Sequence, residues 1–141
     1  MVLLGCASMT PGPKTAITTS NVSMLQGRWS GWTTFRSLTT KPVITTLEFT
    51  NATVPLHGRI TFDFGTTTQA FKVASVFPAD AKTAGNLAII EFKNGKISDQ
   101  GTVIARTGED FLELTLRSGE KMKMDGWFYY YGTRGTMEFT K

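Results

Sequence analysis

Residues 111–119 read Phe111-Leu112-Glu113-Leu114-Thr115-Leu116-Arg117-Ser118-Gly119. Leucines at every second position, separated by Glu113, Thr115 and Arg117, predict a half-buried strand with one dry face and one wet face. Ser118-Gly119 then turns the chain tightly. The same alternation recurs on either side. Val43, Thr45, Leu47 and Phe49 oppose Ile44, Thr46 and Glu48, while Ile60, Phe62 and Phe64 oppose Arg59, Thr61 and Asp63. Near the C-terminus Gly135, Met137 and Phe139 oppose Thr136, Glu138 and Thr140. Runs of similar length cover 25–36, 69–77, 87–93, 96–106 and 120–131, and no stretch carries a helical period.

About nine such runs, joined in sequence order by short turns, predict an all-β fold: an antiparallel up-and-down β-barrel of about 8 to 10 strands, because closure removes exposed edges. A closed meander needs an even count, so one run is in excess, with Asn51 to Phe64 or a bend at Gly126 the expected places. Asn94-Gly95 reads as a hairpin turn, both residues tolerating positive φ. Gly126 reads as a bend or bulge. The alternative is a β-sandwich, whose Greek-key crossings need longer connections than any here except 78–86.

Composition narrows the function. The 141 residues, 40% hydrophobic and 18% charged, suit one folded domain and exclude a disordered chain. The 23 threonines, 10 phenylalanines, 3 tyrosines and 3 tryptophans fit pleated surfaces. The net charge of +4 comes from basic residues scattered among acidic and polar neighbours, so no nucleic acid is expected as partner. One cysteine, Cys6, and one histidine, His57, exclude an internal disulfide and a Cys/His zinc site, and no metal or cofactor is expected. His57 lies beside Gly58 in a turn-like stretch without a G-x-S-x-G serine, and reads as a loop histidine. Glu48, Asp63, Glu91 and Glu113 fall on the polar phase of their runs, where they are solvated. No catalytic residue is expected, and an enzyme is the least favoured reading.

Leu3-Leu4-Gly5-Cys6 resembles the lipobox at the cleavage site of bacterial lipoproteins. That resemblance implies lipidation of Cys6 and a bacterial cell envelope location, in the outer membrane facing periplasm or exterior, with membrane contact only through the anchor. Residues 1–24 are then expected to be a truncated signal with its lipobox and a flexible tether, since 8–23 are rich in Pro, Gly, Ser and Thr. Read without the resemblance, Cys6 is a free cysteine in a tail. Residues 25–141 are expected to form the barrel.

Gly27-Arg28-Trp29 on the first run, followed by short hairpins, resembles the calycin group of lipocalin-like and avidin-like barrels. The resemblance implies that Trp29 plugs one end while the interior toward the other takes a small, mostly apolar or aromatic ligand. Its candidate lining, taken from the dry phase, is Phe35, Phe49, Phe62, Phe64, Phe71, Phe92, Met124, Phe128 and Tyr130. Trp32, three residues from Trp29, faces the opposite way. In Trp127-Phe128-Tyr129-Tyr130-Tyr131 both faces are aromatic; with Phe128 and Tyr130 inside, Trp127, Tyr129 and Tyr131 point outward, or the reverse. Two non-enzymatic readings therefore stand side by side: an envelope lipoprotein holding a ligand in its barrel, and a solid barrel acting by protein contact through Trp32, Trp127, Tyr129 or Tyr131.

Overall fold

The structure, a computed structural model, describes residues 12–35, 42–65, 82–84, 87–107, 110–130 and 133–141. They form ten strands: β1 (Lys14–Thr15), β2 (Gly27–Phe35), β3 (Val43–Phe49), β4 (Leu56–Asp63), β5 (Lys82–Ala84), β6 (Leu87–Ile97), β7 (Val103–Thr107), β8 (Asp110–Arg117), β9 (Lys123–Tyr130) and β10 (Thr133–Thr140). Each large strand buries one phase, as in β4, where Leu56, Gly58, Ile60 and Phe62 are buried and His57, Arg59 and Asp63 are exposed. Bending the sheet until β8 meets β9 and β2 meets β10 puts every dry face inside. The result is a closed antiparallel eight-stranded barrel, in the order β8-β7-β6-β4-β3-β2-β10-β9, rather than a sandwich. β1 and β5 add short pairings at its rim, on β8 and β6. Among the described residues no α-helix occurs, and none is long and apolar enough to cross a membrane.

Eight of the nine runs correspond to barrel strands; the ninth, 69–77, lies outside the described residues. The excess is in neither expected place. Leu56–Asp63 is one strand, and β9 keeps an unbroken register through Gly126 on both neighbours, so Gly126 marks no bulge.

The Asn94-Gly95 hairpin is corrected. β6 runs straight through both residues, and the turn falls at Ser98–Gly101, where Gly101 takes φ +78° and donates to the Ser98 carbonyl at 2.9 Å. The β4–β6 register shifts between Leu56 and Gly58, which leaves one extra residue on β6 beside Asn94. That bulge turns the Asn94 side chain toward β7. Its Oδ1 accepts from the Arg106 N–H at 2.8 Å and its Nδ2 donates to the Arg106 carbonyl at 2.9 Å. One amide thus stands in for a backbone pair where β6 and β7 share only Lys96↔Ile104 and Ile97↔Val103. Asn94→Ala is expected to cost about 1–2 kcal/mol in urea unfolding, because two hydrogen bonds go at once.

The stretch expected as a tether is also different where it is described. Residues 12–24 lie against the barrel: Ser118 N–H donates to the Pro13 carbonyl and Ile17 N–H to the Gly101 carbonyl, both at 3.0 Å. Ile17 and Val22 are buried in the common core. A 3-10 turn, Val22–Leu25, then closes the barrel end beneath it. Two apolar residues in an otherwise mostly exposed polar stretch suffice to dock it once a preformed surface exists. Residues 1–11, with Cys6, lie outside the described residues.

Among the described residues, two threonines form a polar pair in the interior. Thr33 and Thr45 are fully buried, their hydroxyl oxygens 2.8 Å apart, and Thr45 donates to the Val43 carbonyl at 2.9 Å. With Thr45's proton so used, Thr33 donates to Thr45. Thr45→Val therefore strands a buried donor, whereas Thr33→Val strands only a lone pair. Chemical denaturation is expected to show the first as the larger loss, by roughly 1 kcal/mol.

Candidate functional site

Two places bring the sequence candidates together: the barrel interior and a band on its outer wall.

Inside, Trp29 is fully buried and seals one end. Its indole Nε1 donates to the Leu25 carbonyl at 2.9 Å, and Lys141 Nζ lies 5.5 Å from the ring while donating to the carbonyls of Met24 and Gln26. Phe49 and Phe92 meet edge to face near the same end, centroids 5.9 Å apart. Toward the other end Phe62 is the hub, 5.3 Å from Phe35, 6.2 Å from Phe64 and 5.7 Å from Phe128. Each of these rings, and Met124 with them, is at most 5% exposed. Phe71 lies outside the described residues, and Tyr130 is placed only by its backbone on β9. The connections after β2, β4, β7 and β9 all leave from the Phe35–Phe128 end.

Outside, barrel closure sets β9, β10 and β2 side by side. Trp32 is 50% and Trp127 38% exposed. The paired rows are Trp32↔Glu138↔Asp125 and Thr34↔Thr136↔Trp127, so the two indoles sit diagonally across β10. Between them lies a groove of about 320 Å³, lined by Trp32, Thr34, Asp125, Gly126, Trp127, Thr136, Met137 and Glu138. Arg117 holds Asp125 by an Nε–Oδ1 contact of 2.9 Å. Arg134 lies with its guanidinium 4.8 Å from the Trp127 ring and 6.0 Å from that of Tyr129, and its Nη1 donates to Tyr129 Oη at 3.5 Å. Tyr131 lies outside the described residues.

Three members of this face escaped the sequence reading. Phe111 stacks on Tyr129 with centroids 4.5 Å apart, under the Arg106 guanidinium at 5.2 Å. Ile44, paired with Trp32, is 67% exposed. Arg134 holds the aromatics. The signal for the first two was present: Phe111 is out of phase with Leu112, and Ile44 with Val43.

Elsewhere, His57 is exposed on β4, its backbone N–H held by Asn51 Oδ1 at 2.8 Å. Glu48 faces Arg59 at 3.7 Å and Glu113 accepts from Thr102 Oγ1 at 2.8 Å, both on the outer wall. Among the described residues no group of three or more His, Cys, Asp or Glu could hold a metal ion.

Fold and faces together define a closed eight-stranded antiparallel barrel with an aromatic band on its outer wall. No family model, no curated protein and no solved structure matches the chain.

Proposed function

We propose that this protein is a non-enzymatic binding module whose barrel is a scaffold and whose recognition surface is the outer face of β9, β10 and β2. One contrast carries the reading. The rings inside are at most 5% exposed and occupied with one another, whereas Trp32 and Trp127 stand half in solvent around a groove. Exposed tryptophans gathered on one face, with arginines over the neighbouring rings, have the composition of contact sites.

The second reading, a small apolar ligand among Phe35, Phe62, Phe64 and Phe128 as in calycin-like barrels, has the convergence of those four rings at one end in its favour. It requires the rings to part. Under either reading the lipobox-like Leu3-Leu4-Gly5-Cys6 fits an envelope lipoprotein, anchored to the outer membrane through Cys6. Loss of radiolabelled palmitate on Cys6→Ser tests that expectation.

A photoreactive benzoylphenylalanine in place of Ile44, the exposed cross-strand neighbour of Trp32, in cells of the source organism, is expected to cross-link a binding partner. The same group in place of Glu91, on β6 across the barrel, is expected to leave the chain bare. Native mass spectrometry of the purified full chain is the counter-test. A small adduct released on denaturation would move the site inside the barrel; a covalent lipid would remain.

A further inference from the structure

We infer that the groove between Trp32 and Trp127 binds a neutral oligosaccharide. The inference rests on the outer-face reading and names its ligand. β2 and β9 flank β10, so the two indoles stand two strand spacings apart, roughly 10 Å, and are offset along the strands by about 7 Å. At that separation they are two platforms rather than one stacked pair. A ligand touching both is elongated and carries more than one ring.

The groups between the platforms say what kind of ring. Thr34 and Thr136 supply hydroxyls, and Glu138 and Asp125 supply carboxylates in one row across the groove. Such a lining, two aromatic walls with a few convergent polar groups, is the make-up of small-ligand sites. Their charges nearly cancel, because Arg117 pairs with Asp125 and Arg134 lies beside Trp127. Neither a polycation nor a polyanion is favoured by a field so balanced. A sugar chain matches each component. The C–H face of a pyranose carries slightly positive hydrogens that lie on the negative face of an indole. Its hydroxyls donate charge-assisted hydrogen bonds to carboxylates and exchange ordinary ones with threonines. An anionic lipid surface fits less well, since Glu138 and Asp125 would be pressed among like charges. Arg134 over the Trp127 ring holds that platform in place before any ligand arrives, which lessens the ordering cost of binding.

The test is a glycan array of neutral hexose and N-acetylhexosamine oligomers, probed with the full chain, followed by isothermal titration calorimetry with the best binder. Trp32→Ala and Trp127→Ala are each expected to weaken binding about tenfold or more. Glu138→Gln is expected to weaken it several-fold, and added salt to change little. Urea midpoints within experimental scatter of the parent show that the variants fold. Oligolysine and phosphatidylglycerol vesicles are the comparators. Binding to no neutral glycan, binding unchanged in the double tryptophan variant, or salt-sensitive binding to oligolysine or vesicles alone would overturn the inference. A protein cross-linked at position 44 together with a blank array would overturn the saccharide and leave the outer-face reading standing.

Discussion

Trp29→Ala is expected to lower the stability of this barrel by about 3–5 kcal/mol, the range for deleting a buried aromatic side chain. The indole is fully buried, so its removal leaves a cavity under the 3-10 turn instead of a surface that water can fill. It also removes the donor to the Leu25 carbonyl and the ring beneath Lys141. At this chain length the loss corresponds to a fall in Tm of roughly 10–15 °C. Trp29→Phe keeps part of the apolar volume but loses the N–H and the rest of the indole, so a smaller loss of about 2 kcal/mol is expected. Urea unfolding measures both, an unchanged m value showing that stability and not the compactness of either state has moved. A loss under 1 kcal/mol for Trp29→Ala would mean that something else closes this end.

The second large effect concerns a position with no side chain. Gly31 sits on the buried phase of β2, between Thr45 on β3 and Phe139 on β10. An added Cβ would lie 1.7 Å from the Glu138 carbonyl oxygen and 2.9 Å from Phe139 Cα. Both obstacles are backbone, and β10 cannot step aside because β9 is paired on its far edge. Gly31→Ala is therefore expected to cost about 3 kcal/mol or more, at or beyond the top of the usual overpacking range. Ser30→Ala, one residue away on the outer face, is expected within about 0.5 kcal/mol of the parent. Thermal unfolding of the pair isolates the steric term. Equal stabilities would show that β2 can flatten at Gly31.

Period two is local, and what is local was readable. It placed Leu112, Leu114 and Leu116 inside, and separated Trp29 from Trp32, because successive side chains on a strand must alternate. Asn94-Gly95 was misread because turn chemistry is only a preference: a bulge on β6 and a partner at Arg106 gave the Asn94 amide a better use. Packing of Ile17 and Val22 left no pattern in a stretch of threonines and serines; it exists only against a finished barrel end. The groove was hidden for the same reason. Trp32 and Trp127 belong to strands far apart in the sequence, and only ring closure, with β10 between them, makes them neighbours.

β10 lies between β2 and β9, pairing with both along nearly its whole length. Of the eight barrel strands it is the last in chain order, so synthesis delivers it after the other seven. Without its eight residues, β2 and β9 are each left with an edge of unsatisfied amides and carbonyls. Closure therefore depends on this one strand, and a chain cut before Thr133 is expected to carry two adhesive edges instead of forming a slightly shorter barrel. The same edges are a template: a free peptide with the sequence of residues 133–141 should complement the truncated chain in trans, restoring the ring by adding its missing stave.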